Sequence, residues 1–421
     1  MKKKTLLITY RLLAIVAVAA MFTACKKEAG SVNNKNTKTI TLYTPVYGSK
    51  ATALASINGD ANKAVTHAGK IYIKDNYIYL NELNKGIHII DNSNAMHPVQ
   101  IAFLSIPGNL DIAIKGNTLY ADMYSDLLAL DISNPRRAVI TKKLDNFFTG
   151  RSYVNGTSVM FEDKIVTEWL ERDTVVEESN YPQCMWCEFD GVLTANAAGV
   201  KSTGTAGSMA GMVLMNDHLY AITEMHNLGI VNISNAASPT LVKNDIFAGY
   251  DLQTIYPFQG KLFLGSAVGM FMYDVTDPAN PQQLGTFTHG RACDPVIADE
   301  DHAYVTLHAG DGCGGEANEL HVIDINDLMN PSLIRTYQLT KPTGLSKDGN
   351  LLFVCDETEV KVYNAANPAN LQLLKKINSN KPYDVITFGN RAMVVCENGL
   401  YQYDYSNINS IRQLSFFAAK K

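Results

Sequence analysis

Helical periodicity is almost missing from this chain of 421 residues. Its apolar stretches are short, rich in Val, Ile, Leu and Tyr, and closed by Gly, Asn, Asp or Pro, which is how strands and hairpins read. After residue 22 no apolar run is long enough to cross a bilayer. Positive charge is scarce as well: 36 Lys and Arg against 41 Asp and Glu leave a net charge of −5, so there is no basic field to hold nucleic acid. Catalytic signatures are lacking too, with neither a His-Glu-x-x-His pair nor a Gly-x-Ser-x-Gly elbow. Gly310, Gly312, Gly314 and Gly315 follow a strand with no helix after them, which makes a loop and not a phosphate cradle. Hydrophobic residues still make up 46% of the chain, ample for a large core, and the expected class is all-β.

What is present begins with a leader. Lys2, Lys3 and Lys4 precede an apolar stretch from Leu12 to Phe22, and Phe22-Thr23-Ala24-Cys25 follows. This resembles a bacterial lipobox, although Phe22 stands where Leu is usual. Residues 1–24 are therefore expected to be a lipoprotein signal peptide, and 25–38 a lipidated Cys25 with a flexible polar linker. A membrane partner reached through the lipid is implied. An ordinary cleaved signal that happens to hold a Cys is the simpler alternative.

The remainder, 39–421, repeats one phrase: an aliphatic run ends in Asp or Asn, and a turn rich in Asn, Asp, Ser and Pro follows. The anchors are Asp91, Asp131, Asn232, Asp274, Asp324, Asn364 and Asp404. Most are 40 to 50 residues apart, and 101 separate Asp131 from Asn232. Hairpins repeat beside them, for example IYIKDNYIYLN (71–81), IAIKGNTLYAD (112–122) and LSKDGNLLFVC (345–355). Turn pairs such as Gly116-Asn117, Asp348-Gly349 and Gly389-Asn390 suit two-residue hairpins. Four strands per repeat predict a β-propeller of four-stranded antiparallel blades. Eight hairpins, counting Val159 to Trp169 with a third strand at Asp173 to Glu177, predict eight blades; seven follows if that hairpin is only an insertion. Segments before the first hairpin, at 40–43 or 51–57, are expected to meet the last strand, 411–417, and close the ring. The anchor Asp residues are read as turn formers that accept backbone N–H bonds, a role Asn can share.

The aliphatic-Asp phrase with its Ser-Asn-Pro-like turn resembles the LVIVD repeat of bacterial secreted and surface propellers. The segments GKIYIKDNYIYLNELNKGIHIIDNSN (69–94), YTPVY (43–47) and CDPVIADEDHAYVTL (293–307) are similar to outer-membrane lipoprotein members of that family. The resemblance implies an outer-membrane, lipid-anchored propeller, facing the periplasm or the cell surface. It brings no catalytic residues.

Six cysteines remain after Cys25, an even number for an oxidising compartment. Cys293 with Cys313 is a geometrically reasonable bridge on one rim, and Cys355 with Cys396 would link two blades if their separation allowed it. Cys184 and Cys187 form CMWC inside an insertion at about 178–208, read as a small disulfide loop before a redox or zinc site. Trp169 and Trp186 lie in this irregular unit, where exposed aromatics mark contact surfaces. The candidate ligand rim comprises Asp111, Asp251, Arg291, Asp294, His308, Asp311, Tyr383 and Asp384. Asp111, Asp294 and Asp384 recur at one step before the hairpin turn; they could converge on an axial funnel and hold Ca²⁺, or each could cap its own loop. His289 and His308 beside Asp311 could bind a transition metal or act as acid and base. The favoured function is an extracytoplasmic module, expected to be monomeric, that binds protein or glycan. A propeller enzyme or metal-binding periplasmic protein using the funnel is the alternative.

Overall fold

The computed structural model describes residues 37–57, 59, 63–154, 157–177, 210–292, 295–309 and 315–420. Among them, seven of nine antiparallel sheets are four-stranded. Each is built from consecutive strands, and they span 68–105, 112–144, 212–247, 252–288, 296–338, 342–378 and 382–418; we number them blades 1 to 7. Their innermost strands touch in sequence, and the second strand of the last, Arg391–Cys396, meets the innermost strand of the first, Ala68–Lys74, so the fold is a closed β-propeller, the all-β architecture expected. The core lies between blades, where alternate residues of facing sheets interlock, as Ala113, Tyr120 and Ala129 do with Met212, Leu219 and Val231.

That last contact fixes the blade count. Strand Ile112–Lys115 of blade 2 lies directly against Met212–Met215 of blade 3, so the ring has seven blades, the smaller of the two counts the sequence allows. The hairpin at 159–169 belongs elsewhere. Lys164–Glu177 is a single strand of 14 residues that takes in both Trp169 and the expected third strand, and it pairs throughout with Thr37–Ser49. At about twice the length of a blade strand, it cannot fit a blade and forms a ribbon instead. The start of the chain is thus spent on this ribbon: Thr41 and Tyr43 pair with Asp173 and Glu171, not with the last strand. Strand Arg412–Ala418 stays in its own blade beside Gly399–Asp404. The ring is closed by Lys420 N–H donating to Val65 O at 2.7 Å and by a shared core of Ile71, Ile78, Ile386 and Met393.

The repeated anchor is the turn that joins the third and fourth strands of every blade. All seven side chains, Asp91, Asp131, Asn232, Asp274, Asp324, Asn364 and Asp404, accept the N–H of the residue two positions on, at 2.7 to 3.0 Å. Because the bond needs only an acceptor oxygen, Asn serves as well as Asp. The residue after each anchor is buried and its N–H donates to a carbonyl of the hairpin turn, as Ile325 does to Asp301 at 2.9 Å. Each blade is thereby locked at one rim.

Cys355 and Cys396 are free, buried thiols, which corrects the expected cross-link. Both end the second strand of their blades and sit in one apolar cluster. Facing sheets stand about 10 Å apart, whereas a bridge needs Cα atoms within about 7 Å. Cys25, Cys184, Cys187, Cys293, Cys313, Asp294 and Asp311 lie outside the described residues, as do the leader, most of the linker and the insertion at 178–208.

Candidate functional site

The rim opposite the anchor turns carries the blade-to-blade connections and the turns between second and third strands. At its centre the inner strands begin. Asp111 and Asp384 occupy corresponding steps there, both fully buried, and each caps its own strand through Oδ1: Ile112 N–H donates at 2.8 Å and Val385 N–H at 3.0 Å. The second oxygens differ. Asp111 Oδ2 receives Lys70 Nζ at 2.5 Å and Gly211 N–H at 2.9 Å, while Asp384 Oδ2 has no hydrogen-bond partner. Burial pulls Lys70 down and pushes Asp111 up, each effect larger than the mutual attraction that opposes it. Burial pushes Asp384 up to about 7, with the Val385 N–H and Lys70 acting the other way. The axis therefore holds a cation of its own. Lys70, which the repeat pattern did not single out, is the partner of Asp111, and among the described residues no group of three or more His, Cys, Asp or Glu is arranged to hold a metal ion.

Around this centre, buried acids close the second strands. Glu82 accepts the N–H groups of Thr66 and His67, Asp122 those of Leu110 and Asp111, and Asp356 those of Thr340 and Lys341. Each also has a basic partner: His88 at 3.2 Å from Glu82, Arg151 on Asp122, and Lys361 at 2.5 Å from Asp356. For Glu82, burial works to raise the carboxyl, but hydrogen bonds from His88, Thr66 and His67 outweigh it and bring it to about 2. These acids fasten the incoming loops. A signal for them existed in the acid that ends LNE, YAD and VCD at 82, 122 and 356.

Farther out, between blades 3 and 4, the rim turns aromatic. Phe247 and Tyr250 meet edge to face at 5.2 Å, and His226 lies 5.5 Å from Tyr250. Phe247 is 56% exposed, Tyr250 61% and the neighbouring Met225 56%. The loop is bent to achieve this. Gly249 has φ +140°, where a Cβ would strike the Phe271 ring at 2.6 Å, and Asp251 sits at φ 51°, a region costly for a residue with a side chain. Asp251 N–H donates to His226 Nδ1 at 3.3 Å, and its carboxylate holds Arg291 at 3.0 Å. Of the rim residues expected from the sequence, the structure thus joins Asp251 with Arg291, and sets Asp111, Asp384 and Tyr383 at the axis, where the Tyr383 hydroxyl donates to Gly69 O at 2.8 Å. His308 follows strand His302–Leu307 on the blade 5 rim. His289 instead faces His321, ring to ring at 6.4 Å, and Glu319 holds His321 at 2.8 Å.

A closed ring of blades with a polar, buried axis and an aromatic outer rim defines a β-propeller of the repeat class. Its repeats are specific: the LVIVD repeat matches four regions of the chain, residues 66–102, 109–141, 207–244 and 289–339. No curated protein matches it. Among solved structures it is similar to BamB from Moraxella catarrhalis, at 10% identity and TM-score 0.50 over 86% of this chain and 99% of that one. It is likewise similar to the periplasmic gluconolactonase PpgL of Pseudomonas aeruginosa, at 11% identity and TM-score 0.51 over 84% and 95%. The computationally designed Ika8 protein gives 9%, 0.51, 86% and 91%. At such identities the likeness is one of fold.

Proposed function

We propose that the chain is a binding module of the bacterial envelope, held at the outer membrane by a lipid on Cys25 and engaging a protein or glycan, as a monomer, through the rim of blades 3 to 5. The observation that carries this reading is the cluster of Met225, Phe247 and Tyr250. Tyr250, on a strained loop, is displayed to solvent with Phe247 and Met225 beside a charged pair, and exposed aromatics with a polar border are typical of contact surfaces. The funnel supports an enzyme less well, because Lys70 and Asp111 are committed to one another. Anchoring is supported by the lipobox-like Phe22-Thr23-Ala24-Cys25.

Two arms test the reading. Cys25→Ala is expected to leave the membrane fraction, and undiminished sedimentation with membranes refutes the anchor. Purified wild type and the Phe247→Ala/Tyr250→Ala variant are then compared for binding to envelope preparations treated with protease or with periodate. The variant should keep its Tm and lose at least about tenfold in affinity. Equal binding by both refutes the rim, and the treatment that abolishes binding assigns the ligand to protein or glycan.

A further inference from the structure

The seam between blade 7 and blade 1 is the one junction of the ring that the chain does not cross. Contacts alone hold it. Tyr383 reaches Gly69 O, Asn92 and Gln402 exchange amide hydrogen bonds at 3.0 and 2.7 Å, and the termini meet through Lys420 and Val65. Beside this seam, at the axial ends of blades 6 and 7, the fold places Asp384, fully buried, with one carboxyl oxygen unpartnered. Blade 6 closes over it without leaving slack: a Cβ on Gly344 would stand 2.6 Å from Asp384 Oδ1. The ionisable groups facing Asp384 are Lys70 from blade 1, Cys355 from blade 6 and Tyr383 from its own blade. Lys70 is the single cation among them, and it is bonded to Asp111. Farther off, Glu82 is held by His88 and Asp356 by Lys361. A carboxylic acid tolerates such a place, whereas an ionised carboxylate lacking a partner does not.

We propose that Asp384 is a proton-linked latch where the ring closes: neutral, it lets blades 6, 7 and 1 pack on one another, and ionised, it loosens them. Its counterpart Asp111 has every oxygen satisfied, so the response is confined to the blades around Asp384. The sign follows from the direction of the shift. Burial raises the carboxyl from 3.8 to about 7, so the closed seam binds the extra proton, is tightest below about 4, and weakens as pH rises through 7.

Cys355 and Cys396, buried in the core between blades 6 and 7, report on the packing of blade 7 beside Asp384. In the full chain, alkylation of these two thiols is followed by peptide mapping from pH 5.5 to 8.5, each rate normalised to the denatured chain at the same pH. Normalised labelling should rise about tenfold or more in wild type and stay flat in Asp384→Asn. A flat wild-type profile, or an equal rise in the variant, overturns the proposal. Should the variant fail to fold, hydrogen exchange of wild type decides. Opening should become easier with pH in Ala68–Lys74 and Pro382–Phe388 and remain constant in His218–Glu224 of blade 3; a uniform response overturns it equally.

Discussion

The Lys70–Asp111 pair offers a sharp test of how the axis is held. Both side chains are fully buried, 2.5 Å apart, and burial disfavours the charge on each. Replacing Asp111 by Asn leaves an ammonium in the interior opposite an amide, which should cost about 3–5 kcal/mol. Lys70→Met leaves a carboxylate that still accepts from Ile112 and Gly211 N–H at 2.8 and 2.9 Å, so its cost should be smaller, about 2–3 kcal/mol. The double variant Lys70→Met/Asp111→Asn removes both charges and keeps an acceptor for one of the two N–H groups. It should fall within about 1 kcal/mol of wild type, a coupling of at least about 4 kcal/mol. For a domain of this length, unfolding entropy near 0.8 kcal/mol per degree turns the Asp111→Asn loss into roughly 4–6 °C of Tm. Urea unfolding at pH 6, below the range where Asp384 ionises, measures all four proteins, with unchanged m values as the control. If the double variant loses as much as the two singles together, the pair is not acting as a buried ion pair and the account of the axis fails.

Two further outcomes follow from the turns and the buried acids. Asp324→Asn should be silent and Asp324→Ala should lower stability by about 1 kcal/mol, since only the acceptor 2.9 Å from Asn326 N–H matters; equal melting of the two variants would contradict the turn role. Glu82 lies at about 2 in the folded chain against 4.5 when free. Its contribution, on the order of 3 kcal/mol, is therefore present above 4.5 and lost as pH falls toward 2. Acid unfolding of Glu82→Gln should be correspondingly flatter between pH 5 and 2, and an unchanged profile would remove Glu82 from the list of acid-sensitive groups.

What could be read from the chain divides by the reach of the interaction. The anchor turns were legible because an Asx bond spans two residues; every one of the seven forms as the local pattern requires. The hairpin at 159–169 misled for the same reason. Its alternation matches that of a blade strand, and what decides its place is Thr37–Ser49, more than a hundred residues away. The free state of Cys355 and Cys396 turns on the spacing between sheets, which no local pattern records.

The site shows the same limit more strongly. Asp251 and Arg291 are visible as charged residues entering a rim, but their pairing belongs to two different blade junctions. Tyr250 reads as an ordinary strand-flanking aromatic; it is exposed because Gly249 and Asp251 adopt left-handed φ values on either side. Asp111 and Asp384 occupy one step of the repeat and read alike, yet the first is satisfied by Lys70 and Gly211 while the second keeps a bare oxygen. Ring position therefore fixes where a side chain sits and leaves its charge state to whichever neighbour arrives. In a seven-bladed ring, equivalent residues must be assigned function blade by blade, and the place to look is where a repeat meets a different neighbour from its fellows. Here that is the seam beside Asp384 and the bent loop at Tyr250.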